Sequence, residues 1–178
     1  MTRPHGTDRP STVDGLPKAA TAARIYDYFI GGTHNFPADR AAAQEAIRRA
    51  PTIPAISRAN RAFLRRAVRF AAEAGIRQFL DIGSGIPTEG NVHEIAQSIA
   101  ADSRVVYVDI DPVAVAESLA ILEGNDRATA IRGDLRDAAA ILSAPEVGAL
   151  DFGRPVAVLL CAVLHFMPDD DEVRTAIA

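Results

Sequence analysis

The chain has 178 residues, 48% of them hydrophobic and 24% charged, with a formal net charge of −4. That is enough apolar material for one domain with a real core, and the acidic balance argues against a general nucleic-acid binder. A single cysteine excludes an internal disulfide framework and a cysteine-cluster metal site. The N-terminus has no apolar signal segment and the longest apolar run, 156–164, is far too short to span a bilayer, so a cytoplasmic protein without membrane contact is expected.

Residues 1–18 are polar, interrupted by prolines and without periodicity, and read as a disordered lead. Residues 19–75 read as a helical N-terminal segment. Its first helix begins at Ala19, sets Ile25, Tyr28 and Phe29 on one side, and stops at Gly31-Gly32. The stretch 26–36 is aromatic, hinged at glycine and polar at its end. It reads either as a lid that supplies Tyr26, His34 or Asn35 to a ligand, or as a helix packing its aromatics on the core before an ordinary loop. An alanine-rich helix over 38–50 is stopped by Pro51 and Pro54. Ser57 then caps a longer helix to Ala74, closed by Gly75. Ala59, Phe63, Ala67 and Phe70 form its expected apolar stripe. Arg58, Arg61, Arg65 and Arg69 form a basic one, which either meets an acidic partner or is simply solvated.

Residues 76–178 read as an α/β domain, organised around the stretch from Phe79 to Thr88. An apolar run ends in Asp81-Ile82, passes through Gly83-Ser84-Gly85, and gives way to a helical pattern from Asn91. This is strand, tight loop, helix. Glycine lets a backbone approach a ligand closely, often at positive φ, and open α/β sheets bind ligands outside the carboxyl ends of their strands. A dinucleotide fingerprint wants a third glycine, but Thr88 stands there after Pro87. Asp81 would also repel a pyrophosphate. It suits a ligand with a cationic group, such as S-adenosylmethionine, which carries an ammonium and a sulfonium and no phosphate.

A helix over 91–101 sets Val92, Ile95, Ala96 and Ile99 inward, with His93 packed or solvated between them. The β-branched run 104–109 is a buried strand ending in an acid 24 residues past Gly85. Asp109 is thus placed to accept both ribose hydroxyls, while Asp111-Pro112 reads as a helix start. A third strand, 129–132, leads into Gly133-Asp134-Leu135. Asp134 either accepts from the exocyclic amine of an adenine or only caps a helix over 135–142. The apolar run 155–161 reads as a strand covered on both faces, and 161–168 opens onto the same edge.

Together these residues resemble a class I S-adenosylmethionine-dependent methyltransferase, through Asp81-x-Gly83-x-Gly85, Asp109 in Val-Asp-Ile-Asp-Pro, Gly133-Asp134, and the fourth strand running into Leu164-His165-Phe166. More narrowly, the chain is similar to the actinobacterial S-adenosyl methyltransferase family long catalogued as a domain of unknown function. The stretches 23–28, 31–32, 35–36, 38–40, 60–64, 80–88 and 90–93 carry that likeness. The resemblance implies a Rossmann-like α/β sheet with helices on both faces, a helical N-terminal lid, and S-adenosyl-L-methionine as cofactor. Its implied contacts are Asp81, Gly83, Ser84 and Gly85 in the loop, Asp109 with Ile110, and Asp134 with Leu135. Tyr26, Gly32 and Asn35 stand in the family's N-terminal motif and are implied as lid contacts.

A class I fold has seven strands in the order 3-2-1-4-5-7-6, whereas this chain offers four and a helix capped by Asp170 or Asp171. The expectation is a product truncated after the fourth strand, whose bare apolar edge invites self-association. Methyl transfer from a sulfonium is an in-line displacement, so a base is needed only for a hydroxyl or protonated amine. His165 is the candidate catalytic residue, with His34 as a second imidazole. No Asn-Pro-Pro-Tyr type motif follows strand four, which argues against nucleic-acid amino methylation and leaves a small-molecule acceptor. The alternatives are a non-catalytic fragment that binds the cofactor and, less in keeping with Asp81, Pro87 and Thr88, an NAD(P)-dependent oxidoreductase.

Overall fold

In a computed structural model the chain is described over residues 12–13, 16–17, 19–87, 90–167 and 169–177. It divides into two units, 1–59 and 60–178. Most of the expected disordered lead lies outside the described residues. Within it, β1 (Thr12–Val13) and β2 (Leu16–Pro17) pair antiparallel.

The N-terminal unit contains α1 (Ala22–Phe29), α2 (Pro37–Arg49) and the start of α3 (Ile53–Glu73). Helix α3 begins four residues before the expected cap at Ser57. Pro54 does not stop it, because a proline in the first turn lacks only an N–H that has no intrahelical partner anyway. The residues of α1 that are fully buried are charged: Arg24 and Asp27. Arg24 Nε donates to Asp39 Oδ2 at 2.9 Å and its guanidinium lies 5.4 Å over the Phe36 ring. Asp39 also accepts the N–H groups of Thr21 (3.1 Å) and Phe36 (2.8 Å). A carboxylate removed from water is tolerated when its lone pairs are filled in this way.

The C-terminal unit is a parallel four-stranded sheet of β3 (Gln78–Ile82), β4 (Arg104–Asp109), β5 (Ala128–Arg132) and β6 (Ala157–Leu159), in the order β5-β4-β3-β6. Alternate residues point to opposite faces. Phe79, Val105 and Tyr107 therefore join Leu64, Val68, Ala72, Val92, Ile95 and Ala96 in one cluster, under α3 and α4 (Val92–Ile99). Leu80, Val106 and Val108 join Ile131, Leu135, Ile141 and Val147 in the other. Ile141 comes from α6 (Ala138–Ser143), and Ala176 of α7 (Asp170–Ile177) packs there too. Helix α5 (Pro112–Ile121) links β4 to β5. Helices thus cover both faces of a doubly wound sheet.

Three expectations are corrected. The buried stripe of α3 is Leu64, Val68 and Ala72, while Phe63 and Phe70 are 57% and 75% exposed. Both stripes are apolar at helical spacing, so periodicity alone does not choose between them; the row that meets Phe79 and Val105 wins. Strand β6 is shorter than the apolar run and half-covered, with Val158 53% exposed, because β3 is its one strand neighbour among the described residues. Helix α7 is capped by Asp169, which accepts the Asp171 N–H at 2.8 Å, rather than by Asp170 or Asp171.

Candidate functional site

The carboxyl ends of β3, β4 and β6 bring most of the sequence-derived candidates of the C-terminal unit together. Asp81, in register with Tyr107 of β4 and Leu159 of β6, is 3% exposed. Among the described residues no hydrogen-bond donor or ion-pair partner reaches its carboxylate. Burial pushes the group up to about 7, against the pull of the Arg61 guanidinium and with a further push from Asp109. A nearly enclosed acid with no donor is suited to receiving a cation.

The loop after β3 has Gly83 and Gly85 at φ 72° and 66°. Its amides are turned to β4: Gly83 and Ser84 donate to Val108 O at 2.8 and 3.2 Å, and Gly85 donates to Asp109 Oδ2 at 2.7 Å. Gly83 is further constrained because a Cβ there would run into the Val163 side chain. Val163 is delivered by a turn whose Ala162 adopts φ 58°, a conformation uncommon outside glycine. Sequence reasoning missed this contact, since a valine past a strand carries no distinguishing signal.

Asp109, 7% exposed, receives the Gly85 amide on one oxygen and the Asp111 amide on the other, the latter at 2.9 Å. Burial raises its pKa against these bonds. A carboxylate has about four acceptor sites, so two backbone donors leave capacity for ligand hydroxyls. Asp111 is the N-cap of α5, accepting the Val113 N–H at 2.9 Å. Ile110, between the two acids, is 50% exposed. Asp134 accepts the Arg136 N–H at 3.0 Å and Arg136 Nε at 2.9 Å, so it caps the short 3-10 turn Leu135–Asp137. The Arg136 guanidinium holds its carboxyl below the usual range. Asp137 then caps α6 in its own right, in place of one continuous helix over 135–142. Leu135 is buried in the second core cluster.

His165 lies on the 3-10 turn Leu164–Phe166 after β6, exposed, its ring 4.2 Å from that of Phe166. His93 is a packed histidine. Its backbone N–H donates to the Tyr107 hydroxyl at 2.9 Å, and its ring Nδ1 meets the same hydroxyl at 2.8 Å. Of the basic stripe, Arg61 Nη2 donates to Asn91 Oδ1 at 3.3 Å. Arg65 and Arg69, with Arg66, Gly90 and Ile95, instead line a cleft of about 400 Å³ farther along α3. Among the described residues no cluster of side chains is arranged to hold a metal ion.

The N-terminal candidates are engaged within their own unit. Asn35 Nδ2 donates to Asp27 Oδ2 at 2.8 Å and to Gly32 O at 3.0 Å. The Asp27 carboxylate lies where a Gly32 Cβ would stand, so only glycine fits. Tyr26 donates its hydroxyl proton to Ser57 O at 2.8 Å, and the His34 N–H also reaches Asp27 Oδ2, at 2.9 Å.

This geometry has close relatives. A DUF574 family protein from Streptomyces avermitilis MA-4680, solved by crystallography, is 48% identical with a TM-score of 0.83, over 89% of this chain and 64% of its own. A candidate methyltransferase from Thermobifida fusca YX is 44% identical with a TM-score of 0.84, over 90% of this chain and 63% of its own. The chain thus spans just under two thirds of each solved relative's length. No curated protein matches it. The family model described as S-adenosyl methyltransferase matches residues 8–178, and the chain belongs to that family.

Proposed function

We propose that the C-terminal unit binds S-adenosyl-L-methionine at the carboxyl ends of β3 and β4, and that the protein transfers its methyl group to a small-molecule acceptor. The observation that carries this reading is Asp81: a carboxylate 3% exposed, with no donor reaching it among the described residues, beside a glycine loop latched by a second acid. A dinucleotide pyrophosphate would face two carboxylates there, which disfavours a nicotinamide-dependent oxidoreductase.

In this reading Asp81 holds the amino-acid ammonium. Gly83, Ser84 and Gly85 shape the wall, and Asp109 accepts the ribose hydroxyls with its remaining lone pairs. The exposed Ile110 offers apolar surface to the purine. Asp134, whose carboxylate also takes Arg136 Nε, accepts from the exocyclic amine of the adenine, with Leu135 as a further contact. Tyr26, Gly32 and Asn35 enter as cofactor contacts on the family motif alone. When bound, the cofactor supplies an electrophilic methyl group on a sulfonium. His165 is the proposed proton acceptor for a hydroxyl or protonated amine.

The test is release of S-adenosylhomocysteine during incubation with S-adenosyl-L-methionine and a panel of small phenols, amines and carboxylic acids. One class should give turnover, and His165→Ala should slow it at least tenfold while Kd for the cofactor stays within about twofold. Tight cofactor binding with no turnover on any acceptor would favour the second reading, a non-catalytic binding unit.

No helix among the described residues is long and apolar enough to cross a membrane, and a cytoplasmic location is part of the proposal. So is pairing between copies along the outer edge of β6. Sedimentation that stays monomeric up to about 100 µM would remove the latter.

A further inference from the structure

We propose that the cleft between the second half of α3 and the first turn of α4 binds a small phosphate-bearing anion, gripped by Arg66 and Arg69. The cleft belongs wholly to the C-terminal unit and stands apart from the cofactor reading above.

Helix α3 carries five arginines, Arg58, Arg61, Arg65, Arg66 and Arg69, against one acid, Glu73. The chain that holds them has a formal net charge of −4, so positive charge is gathered here against the trend of the whole. Arg65, Arg66 and Arg69 line one cleft of about 400 Å³, with Gly90 and Ile95 as its other walls. Arg69 follows Arg65 by four residues and Arg66 by three, spacings at which side chains are neighbours on a helix and like charges repel. Arg65 is itself engaged and serves as a wall. Its guanidinium lies against the backbone at Gly90, where a Cβ would run into it.

Arg66 and Arg69 make no hydrogen bond or ion pair among the described residues. The acids closest to them in the two helices do not serve them. Glu94, beside Ile95 in sequence, holds the Asn91 N–H at 2.7 Å, and Glu73, one turn beyond Arg69, forms no ion pair among the described residues. Two adjacent guanidinium forks without a counter-charge are matched to an oxyanion with several acceptor oxygens, which both can grip. Phosphate suits them better than a single carboxylate, because its larger charge offsets the mutual repulsion of the cations. The cleft has the volume of a small-molecule site, and Ile95 gives the organic part of such a ligand an apolar floor. A long polyanion is disfavoured, since the acidic remainder of the chain repels what extends past the cleft.

The experiment titrates the full chain with inorganic pyrophosphate by calorimetry at low ionic strength, with acetate as a singly charged control. Pyrophosphate should saturate one site, about tenfold or more tighter than acetate. Arg66→Gln and Arg69→Gln should each weaken it about fivefold, and both together about 20-fold. Arg127→Gln, which removes the same charge at an exposed place just before β5, should leave it within about twofold. Without ligand the double variant should melt no lower than the parent, because these arginines repel one another and hold nothing in the fold. Pyrophosphate should then raise the Tm of the parent and leave that of the double variant unchanged. Pyrophosphate no tighter than acetate, an equal loss in Arg127→Gln, or a double variant that melts lower than the parent would overturn the proposal. So would tighter binding, with the same arginine dependence, to a single-stranded oligonucleotide or to phosphatidylserine vesicles, which would put a macromolecular phosphate or a lipid surface there instead.

Discussion

Asp81→Asn is expected to make the protein more stable above pH 7 while weakening S-adenosyl-L-methionine binding by about 100-fold. The two effects share one cause. The carboxyl is buried without a donor among the described residues and its pKa stands near 7, far above the ordinary carboxylate value. Because the folded-state pKa is raised, the native state holds a proton that the unfolded chain has released. The stability this contributes is complete below about pH 4, declines as pH rises, and is gone once pH passes about 7. Above that point the fold carries a buried charge only partly offset by Arg61. Asparagine removes the charge at nearly constant volume, so a gain on the order of 2 kcal/mol is expected at pH 8, roughly 5 °C in Tm, shrinking toward pH 5. The affinity loss follows from deleting the acid that receives an ammonium, a charge-assisted bond in a poorly solvated site. The unmodified protein should correspondingly bind about tenfold more weakly at pH 6 than at pH 8, since protonation competes with the cation. Melting curves and titrations at pH 5, 6.5 and 8 check all three statements. An asparagine variant less stable than the parent at pH 8 would show that the acid is paired in solution.

Asp109→Ala is expected to abolish measurable cofactor binding, at least a 100-fold loss, and to lower stability at the same time. Its oxygens accept the amides of Gly85 and Asp111. Alanine leaves both N–H groups without an acceptor at a buried position, at a cost of about 1–3 kcal/mol each before water relieves them. It also frees the glycine loop from β4 and removes the ribose acceptor. Asp109→Asn separates these roles. One amide oxygen still latches Gly85, so Tm should fall by less than half as much, while affinity still drops about tenfold. Equal affinity for parent and asparagine variants would mean that Asp109 serves the loop and not the ribose.

How far the residues alone reveal this molecule depends on the kind of signal. The sheet is legible because β3 and β4 hold short apolar or β-branched runs with an acid at or near their ends, β5 runs into Gly133, and the loop at Gly83-Ser84-Gly85 lies where such a run ends. Asp111 is legible as a cap because Asp-Pro has one economical use at a helix start. The face of α3 is not legible, since Phe63 and Phe70 look better core residues than Leu64 and Ala72 until the partner surface is known. The motif residues of the N-terminal unit are visible as a pattern, but the pattern does not say that Asp27 fills the space over Gly32 or that Asp39 gathers Arg24 and two amides. Buried charge networks depend on which side chains meet, and spacing along a chain does not carry that. For the same reason Arg61 reads as one arginine among several until Asn91 is placed beside it.

The central claim is that the ends of β3 and β4 form a site for S-adenosyl-L-methionine. Calorimetric titration of the protein at pH 8 with S-adenosyl-L-methionine, S-adenosylhomocysteine and NADH tests it most directly. Saturable one-to-one binding of the first two, none of NADH, and loss of both in Asp109→Ala is the predicted result. A cooperatively melting protein that binds neither adenosyl ligand, or that binds NADH alone, would contradict it.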